Sequence, residues 1–396
     1  MDGRIYLDYA ATAPLHPVAA STTEGYIGQD SEAFALNANA NSLHTEGRKA
    51  FSALEDARAK LAQVFGVRPF ELVFTSGATE SNNTALFGLS QGSKIAQSRV
   101  PHIVTTSIEH DASFRAAQSL ESLGLVTFTY VQPETSGHIN PETIAAALAP
   151  ETVLVSVIAV HNETGAINDI QAIGEVVHEH GALFHIDAVQ ALGKLPLSLS
   201  ELPVDAASFS AHKIGGPKGV GLLYLKSQTP FKPFLVGGGQ ESGIRSGTQN
   251  VLGANAFAEL AMQLCGSSEQ VLTESARLRA MRDKLYSELC SIEGVEASVP
   301  CSAGSENYAP HIVNVCVDGM ESETLILQFD LAGIAVSGGS ACSSHSLEPS
   351  RSLLELGIPR DKALGSLRLS LGWNTTEEDI NTCITTCKNI VNNFSA

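Results

Sequence analysis

Short apolar runs alternate with helix-like segments through the first two-thirds of this 396-residue chain, and this alternation restricts the fold more than any other feature. The runs that read as strands are ELVFT (71–75), HIVTTS (102–107), VTFTYV (126–131), TVLVSVIAV (152–160), ALFHID (182–187) and AASFS (206–210). Strands and helices that alternate at this spacing predict an α/β domain with a mainly parallel sheet, in which a few strands can run the other way. The roughly 20 residues between the last two runs leave too little room for a long helix.

The pattern changes after Thr248. A long amphipathic segment follows, and its apolar positions are Val271, Leu278, Met281, Leu285, Leu289 and Ile292. A second set of strand-like and helix-like segments comes after it. We therefore predict a large domain over residues 16–260 and a smaller α+β domain that combines residues 1–15 with residues 261–396.

Composition limits the classes of function. With 43% hydrophobic and 17% charged side chains, the chain can bury a large core. The 24 basic and 42 acidic residues give a net charge of −18, which argues against nucleic-acid binding because such binding depends on clustered lysine and arginine. No apolar run approaches the roughly 18 residues of a membrane span. Residues 1–14 carry acidic side chains and no apolar stretch, so we expect a cytoplasmic protein without a signal peptide.

The seven cysteines point to reduced thiols rather than to a disulfide framework. Cys383 and Cys387 are expected to be core residues, with metal binding as the alternative. They share one face of a last helix, which Thr376 is expected to cap, with Ile380, Ile384, Val391 and Phe394. Cys342 differs because it lies in SGGSACSS, a run of small residues that predicts an accessible loop. The alternative for Cys342 is a buried structural thiol.

Polar side chains follow several of the predicted strands. The segment SAHK (210–213) ends one strand and precedes a glycine-rich turn, so the Lys213 amine is expected in a cleft, with an ordinary surface lysine as the alternative. Asp187 ends another strand, and Gln190 follows three residues later. A carboxylate on a pyridinium nitrogen beside an amide on a ring hydroxyl is what a pyridoxal phosphate electron sink requires. The alternative is that Asp187 caps a following helix.

The segment ELVFTSGATESNN predicts a strand that passes through a glycine turn into a helix. Free backbone N–H groups at such a helix start, with the hydroxyls of Ser76 and Thr79, form a cradle for a phosphate, although an ordinary βα turn looks similar. Glu109–His110 and the segment HNETG (161–165) place more polar groups beyond strand ends. In open α/β sheets the ligand crevice lies at the carboxyl ends of the strands, so we expect all these segments to meet there.

Taken in order, these motifs resemble those of the cysteine desulfurases of the NifS/IscS-like group, within the class V aminotransferase superfamily of fold type I pyridoxal phosphate enzymes. The matching segments are YLDYAATAP (6–14), FTSGATESNN (74–83), Glu109, His110 and Ala112, HIDAVQALGK (185–194), SFSAHKIGGPKG (208–219), GGGQESGIRSGT (237–248), SGGSACSSHSLEPS (337–350) and LRLSLG (367–372). The resemblance implies a large domain with a mainly parallel seven-stranded sheet flanked by helices. It also implies a smaller α+β domain with the catalytic cysteine loop at about residues 335–350.

The resemblance implies roles for individual residues around pyridoxal 5'-phosphate. Lys213 would carry the cofactor as a Schiff base and move a proton, and His110 would stack on the cofactor ring and assist that transfer. Asp187 would pair with the ring nitrogen, and Gln190 would bind the phenolic oxygen. The remaining cofactor contacts would come from Ala78, Thr79, Ser210 and His212, with Thr248 reaching in from the other subunit of a homodimer.

The resemblance also implies the substrate and the reaction. Asn162 and Arg368 would bind the carboxylate of L-cysteine, the arginine as a bidentate fork. Cys342, as a thiolate, would attack the substrate sulfur, and the products would be L-alanine and a persulfide on Cys342. A sulfur-acceptor protein would then take the sulfur for iron–sulfur cluster assembly or for the thiolation of tRNA or a cofactor.

The chain departs from the family pattern at Ala40, His161, Gly215 and Ser242, where the family usually has proline, asparagine, an aromatic residue and often arginine. Two alternative functions remain. A selenocysteine lyase, an aminotransferase or another class V enzyme would not need Cys342. A non-catalytic sulfur-assembly subunit would keep the fold without a chromophore bound to lysine.

Overall fold

The computed structural model describes residues 3–27, 30–301, 303–339 and 348–395. The α-helices are α1 (Pro17–Ile27), α2 (Ser31–Leu36), α3 (Thr45–Phe65), α4 (Ala78–Gly92), α5 (Asp111–Ser122), α6 (Pro141–Ala147), α7 (Ile170–His180), α8 (Val251–Cys265), α9 (Ser268–Leu289), α10 (Ser322–Leu331), α11 (Arg351–Glu355), α12 (Arg360–Leu364) and α13 (Glu377–Ser395). The strands are β1 (Ile5–Tyr6), β2 (Leu72–Thr75), β3 (His102–Thr106), β4 (Thr127–Val131), β5 (Thr152–Ile158), β6 (Leu183–Asp187), β7 (Ala206–Ser210), β8 (Gly221–Leu225), β9 (Val295–Ala297), β10 (Ile312–Val317), β11 (Ile334–Ala335) and β12 (Ser366–Ser370). Across these described ranges, no helix combines the length and the apolar character that crossing a membrane requires.

Seven of the described strands form a central sheet in the order β2–β8–β7–β6–β5–β3–β4. The mainly parallel sheet predicted from the sequence is confirmed, and the six predicted strands correspond to β2 through β7. Strand β8 is the added element, and it runs antiparallel to both of its neighbours. It follows β7 through the turn at 211–220 with no α-helix between them. This direct connection breaks the strand–helix alternation on which the sequence prediction relied.

The later segments also follow their apolar patterns, with two exceptions. The predicted stripe of the long amphipathic segment lies on α9 and is buried, but Ile292 follows the helix end. Thr376 caps α13 as predicted, because its hydroxyl accepts the Asp379 N–H at 3.2 Å while the Asp379 carboxylate accepts the Thr376 N–H at 2.9 Å. Cys383 and Cys387 are buried core residues. The prediction for Phe394 is wrong, since 55% of it is exposed and Val391 is the last buried residue of the stripe.

Two large clusters of buried apolar side chains lie on either side of the turn between α8 and α9. The side chains of α8 pack with α3, α7 and the central sheet. The side chains of α9 pack with α13 and with β10 and β12 of a three-stranded antiparallel sheet. The domain division near residue 260 stays a prediction, and the change of packing partner between α8 and α9 supports it.

The N-terminal segment passes from one cluster to the other. Strand β1 pairs in parallel with β11, and Leu7 packs in the cluster that contains α9. Three residues later, Ala10 packs in the cluster that contains the central sheet. The first residues of the chain therefore connect the two cores.

Gly221, at the start of β8, provides a test of the packing beneath α4. A Cβ atom at this position would lie 2.5 Å from the Cα atom and 2.6 Å from the carbonyl carbon of Gly77. Because these backbone atoms cannot rotate away, we expect Gly221→Ala to lower the free energy of unfolding in urea by about 1–3 kcal/mol. The control is Gly25→Ala in α1, where an added Cβ meets no atom within 4 Å and stability should stay or rise. Equal stability of Gly221→Ala and the wild type would contradict this packing.

His185 provides a test of pH-dependent stability. It lies buried in β6 between the hydroxyls of Ser156 and Ser208, with hydrogen bonds of 2.8 and 2.9 Å, and burial lowers the pKa of His185 to about 3. Below the unfolded pKa of about 6.5, the unfolded chain takes up a proton that the folded chain excludes, so stability falls as the pH falls from about 6 towards 4.

We expect the free energy of unfolding of His185→Gln to depend less on pH than that of the wild type, by about 1.4 kcal/mol per pH unit over that range. Denaturation at several pH values gives the slope of the free energy of unfolding against pH for His185→Gln and for the wild type. The effects of the other ionisable groups cancel in the difference between the two slopes. The control is His180→Gln, which removes an exposed histidine at the end of α7. Identical slopes for His185→Gln and the wild type would rule out a neutral buried His185.

Candidate active site

A cavity of about 500 Å³ opens at the carboxyl ends of the strands of the central sheet. A cavity of this size suits a small-molecule ligand. Most of the predicted site residues line it, namely Ala78, Thr79, His110, Asn162, Asp187, Gln190, Ser210, His212, Lys213 and Arg368. Thr248 is exposed and does not line the cavity within this chain, and Cys342 lies outside the described residues.

Lys213 lies in a short 3-10 turn directly after β7. Its Nζ donates hydrogen bonds to the carbonyl oxygens of Ala10 and Ala11, at 2.6 and 2.9 Å. The carbonyl oxygen of Ala10 also accepts a hydrogen bond from Gln190 Nε2 at 3.0 Å. The alternative of an ordinary surface lysine is therefore wrong, because two backbone carbonyls hold the amine at the cavity.

Gln190 has its amide orientation fixed from both ends. While its nitrogen donates to Ala10, its oxygen lies 3.1 Å from Nε2 of His311. Burial lowers the pKa of His311 well below its ordinary value, so the ring is neutral and donates this hydrogen bond. His311 was not among the predicted site residues, since it lies in the segment before β10, far from Gln190 in the sequence.

Asp187 is a buried carboxylate at the end of β6. One of its oxygens accepts a hydrogen bond from Asn82 Nδ2 at 2.7 Å, and the other accepts the N–H of Val189 at 3.1 Å. Residues 188–195 form turns rather than a helix, so the alternative that Asp187 caps a helix is wrong. Asn82 is a further residue of the site that sequence reasoning missed. Its position one helical turn after Ala78, on the face that points to the sheet, was the available signal.

One side of the cavity is suited to an anion. Helix α4 begins there at Ala78, and in the described chain no side chain caps its first N–H groups. The hydroxyls of Thr79 and Ser210 line the same cavity. His212 lies beside them, with Nδ1 3.0 Å from the hydroxyl of Thr12. Burial and the charge of Lys213 lower the pKa of His212 to about 4, so its ring is neutral at ordinary pH.

His110 caps the start of α5, and its Nδ1 accepts the N–H of Ala112 at 3.0 Å. A neutral ring that accepts at Nδ1 carries its proton on Nε2. Burial lowers the pKa of His110, while the negative charge of Asp187 acts in the opposite direction. The imidazole at the cavity is therefore neutral and has one defined tautomer.

Arg368 lies on β12 and reaches the cavity from the second core. Its guanidinium donates to the carbonyl oxygen of Asn162 at 3.0 Å and to the Asp8 carboxylate at 3.0 Å. Its Nε is buried and has no hydrogen-bond partner among the described residues. Arg368 is thus a buried cation held at the cavity with donor capacity to spare.

The residues at which the chain departs from the family pattern lie in different environments. Gly215 has a φ of 96°, and an added Cβ would lie 3.0 Å from the carbonyl oxygen of Pro14, so this backbone excludes a larger residue. His161 is buried, and burial lowers its pKa to about 3, so its ring is neutral. Ala40 packs in the first core, whereas Ser242 is exposed with a φ of 55°.

The cavity fits pyridoxal phosphate on the groups present. An amine and a buried carboxylate share it, as the aldehyde and the ring nitrogen of that cofactor require. The uncapped start of α4 and the neighbouring hydroxyls match the phosphate group. The Asn82 side chain donates a hydrogen bond to the Asp187 carboxylate. Its Oδ1 atom is buried and has no hydrogen-bond partner among the described residues.

Comparison with known proteins agrees with this geometry. The aminotransferase class-V family model matches residues 5–382. Cysteine desulfurase IscS of Serratia proteamaculans is 40% identical over 378 residues, which cover 95% of this chain and 90% of the relative. Cysteine desulfurase IscS of Dictyoglomus turgidum is 37% identical over 394 residues, which cover 99% of this chain and 95% of the relative.

Solved structures show the same likeness. A NifS-like protein aligns with a TM-score of 0.87 and 33% identity, over 98% of this chain and 99% of its own. SspA in complex with cysteine aligns with a TM-score of 0.75 and 30% identity, over 93% of this chain and 98% of its own. The fold type I architecture predicted from the motifs is therefore confirmed. The chain belongs to the aminotransferase class-V family, whose members depend on pyridoxal phosphate.

Proposed function

We propose that this protein is a cysteine desulfurase that converts L-cysteine to L-alanine and keeps the sulfur as a persulfide on Cys342. The observation that carries this proposal is the meeting of Lys213, Asp187 and Arg368 in one cavity of a class V chain. Curated relatives at about 40% identity that carry the name cysteine desulfurase add support.

Arg368 and Asn162 are the proposed binding site for the substrate carboxylate. Asp8 and the Asn162 carbonyl fix the plane of the guanidinium, so its remaining N–H groups keep a constant direction. A planar guanidinium binds a carboxylate through two parallel hydrogen bonds, and this orients the rest of the substrate. The structure of SspA with cysteine shows a homologous fold in complex with this amino acid.

Lys213 and His110 are the proposed groups for proton transfer. When bound, pyridoxal phosphate withdraws electron density from the substrate carbon skeleton, which makes loss of sulfur feasible. Asp187, kept in place by Asn82 and Val189, would pair with the ring nitrogen of the cofactor. Two backbone carbonyl oxygens hold the Lys213 amine at the cavity, which is the position that a proton-transfer group requires.

Cys342 is the proposed sulfur acceptor. Its thiolate would attack the substrate sulfur, so that an S–S bond forms and the C–S bond breaks. The electron pair of the broken bond stays on the substrate carbon, which takes up a proton and leaves as alanine. Cys342 lies outside the described residues, but the described residues before and after it lie close to Glu163. Ser350 donates a hydrogen bond to the Glu163 carboxylate at 2.6 Å. A Cβ atom added at Gly339 would lie 3.0 Å from the same carboxylate oxygen. Glu163 is next to Asn162, which lines the cavity.

The persulfide would pass to an acceptor protein of iron–sulfur cluster assembly or of tRNA or cofactor thiolation. A persulfide and its acceptor thiol require a reducing compartment, which favours the cytoplasm. Cys265, Cys290, Cys316, Cys383 and Cys387 are free thiols, in agreement with such a compartment.

We further propose a homodimer in which Thr248 completes the partner's cavity. Thr248 belongs to the loop 237–248, and Gln249 at its end accepts a hydrogen bond from Asn41 at 2.8 Å. Leu43 and Val236, on the two segments that this bond joins, are 90% and 81% exposed. Exposed apolar side chains on such segments favour a protein interface there, and a two-fold axis would place each loop on the other subunit.

The desulfurase assignment predicts distinct results for three variants given L-cysteine. The rate of sulfide and alanine production should fall about a hundredfold or more in Cys342→Ala, because this variant lacks the nucleophile. Lys213→Ala should lose the visible absorption of the bound cofactor as well as activity. Cys290→Ala, which removes an exposed free thiol elsewhere, should behave as the wild type. If Cys342→Ala releases sulfur as fast as the wild type, a selenocysteine lyase or another class V activity becomes the better assignment.

The dimer proposal predicts complementation between two inactive variants. Thr248→Glu would place a carboxylate against the cofactor phosphate, and Lys213→Ala removes the lysine. A purified heterodimer of the two would contain one intact site if Thr248 acts across the interface, so we expect about half of the wild-type activity and cofactor content. An inactive heterodimer would show that Thr248 acts within its own subunit, and an active Thr248→Glu homodimer would show that Thr248 does not act at the cavity at all.

A further inference from the structure

Arg351, the first residue of α11, clamps the turn that carries His110. Its Nη2 donates a hydrogen bond to the carbonyl oxygen of Glu109 at 2.6 Å, and its Nη1 donates to the carbonyl oxygen of Ser107. These two carbonyls lie on the connection between β3 and α5, just before His110. One guanidinium thus fixes two peptide groups of a turn that has no regular structure of its own.

Helix α5 holds the same guanidinium from its other face. The Arg351 guanidinium carbon lies 3.8 Å from the centroid of the Phe114 ring, within the range of a cation–π contact. The Asp111 carboxylate lies 3.5 Å from Nη2. By contrast, Arg115 lies 5.8 Å from the same ring, and among the described residues its hydrogen bond goes to Gln118 on its own helix. Arg351 therefore has one well-defined orientation, and α11 is joined through it to the start of α5.

We propose that Arg351 is a positioning residue for His110, which it acts on through the backbone of the 107–111 turn. The proposal rests on the proposed function, because it assigns His110 a proton-transfer role. His110 has no side-chain partner in the described chain other than the N–H of Ala112, so the position of its ring depends on the position of its backbone. A shift of about 1 Å in a proton-transfer group can cost up to a hundredfold in rate.

The charge of Arg351 provides a readout that a purely structural residue would not change. The charged groups that act on His110 are Asp187, Lys213, Asp111 and Arg351. The buried His161, Glu109 and Glu163, and the carboxylate of Glu348 and the exposed Arg115, lie around the same site. Burial lowers the pKa of His110, the two aspartates raise it, and Lys213 and Arg351 lower it. Loss of the Arg351 charge should therefore raise the pKa of His110 and move the acid limb of the rate profile to higher pH.

The test uses holoenzyme labelled at histidine, with the His110 pKa measured by NMR and the kinetic constants measured for L-cysteine. Arg351→Gln should raise the pKa of His110 and lower kcat about tenfold or more, while KM changes little because Arg368 and Asn162 stay in place. Arg351→Lys should keep the pKa of His110 near the wild-type value but lose kcat, since an ammonium cannot span two carbonyls and also stack on a ring. Arg115→Gln removes an exposed charge from the neighbouring helix and should match the wild type in both measurements.

Wild-type kcat and an unchanged His110 pKa in Arg351→Gln would overturn the positioning role. If Arg351→Gln does not fold, Phe114→Leu removes the stacking contact and keeps the charge, and it should lower kcat without moving the pKa of His110. Unchanged kcat in Phe114→Leu would overturn the proposal in that case. A wild-type protein that makes no alanine from L-cysteine, but whose His110 pKa still rises in Arg351→Gln, would overturn the proposed function and leave the contact between Arg351 and the His110 turn intact.

Discussion

The carbonyl oxygen of Ala10 is the point on which the site depends, because it accepts hydrogen bonds from both Lys213 and Gln190. The two donors follow different strands of the central sheet, and Ala10 belongs to neither strand. Its own N–H donates to the Ser370 hydroxyl at 2.8 Å, at the end of β12 in the second core. The backbone of Ala10 therefore connects Lys213 on one side with β12, the strand that carries Arg368, on the other. A shift of the N-terminal segment would move both together.

Arg368 also connects the two cores, through its charged side chain. A buried cation is costly unless it is paired and hydrogen-bonded, and Arg368 meets Asp8 from the N-terminal segment and the Asn162 carbonyl from the first core. Neither core alone supplies both partners. The position of the guanidinium thus depends on the correct packing of the two cores, and the proposed carboxylate site is formed only in the complete fold. This dependence explains why a residue of the smaller predicted domain can line a cavity of the larger one.

Much of the site could be predicted from the sequence, because parallel strands bring their carboxyl ends to one edge of a sheet. Polar residues such as Asp187, His110 and Lys213 directly follow apolar runs, and this local pattern was enough to place them together. Predictions that depend on contacts between residues far apart in the sequence were less successful. The family resemblance implied seven strands, and the sheet has seven. The pattern of apolar runs did not locate β8, because an antiparallel neighbour needs no helix before it. The exposure of Phe394 could not be read from its spacing, since the helical period continues where the second core has already ended.

The residues that support the site were harder to find than those that line it, and the reason is physical. His311 and Arg351 act through contacts with groups more than 100 residues away, at Gln190 and at the Glu109 carbonyl. Nothing near either residue in the sequence indicates these partners. An arginine in the first turn of a short helix is an ordinary surface residue by every local rule, and its contacts follow only from how α11 meets α5. A sequence pattern can therefore identify groups with intrinsic chemistry, but the groups that fix their position and their pKa appear only when the packing is known.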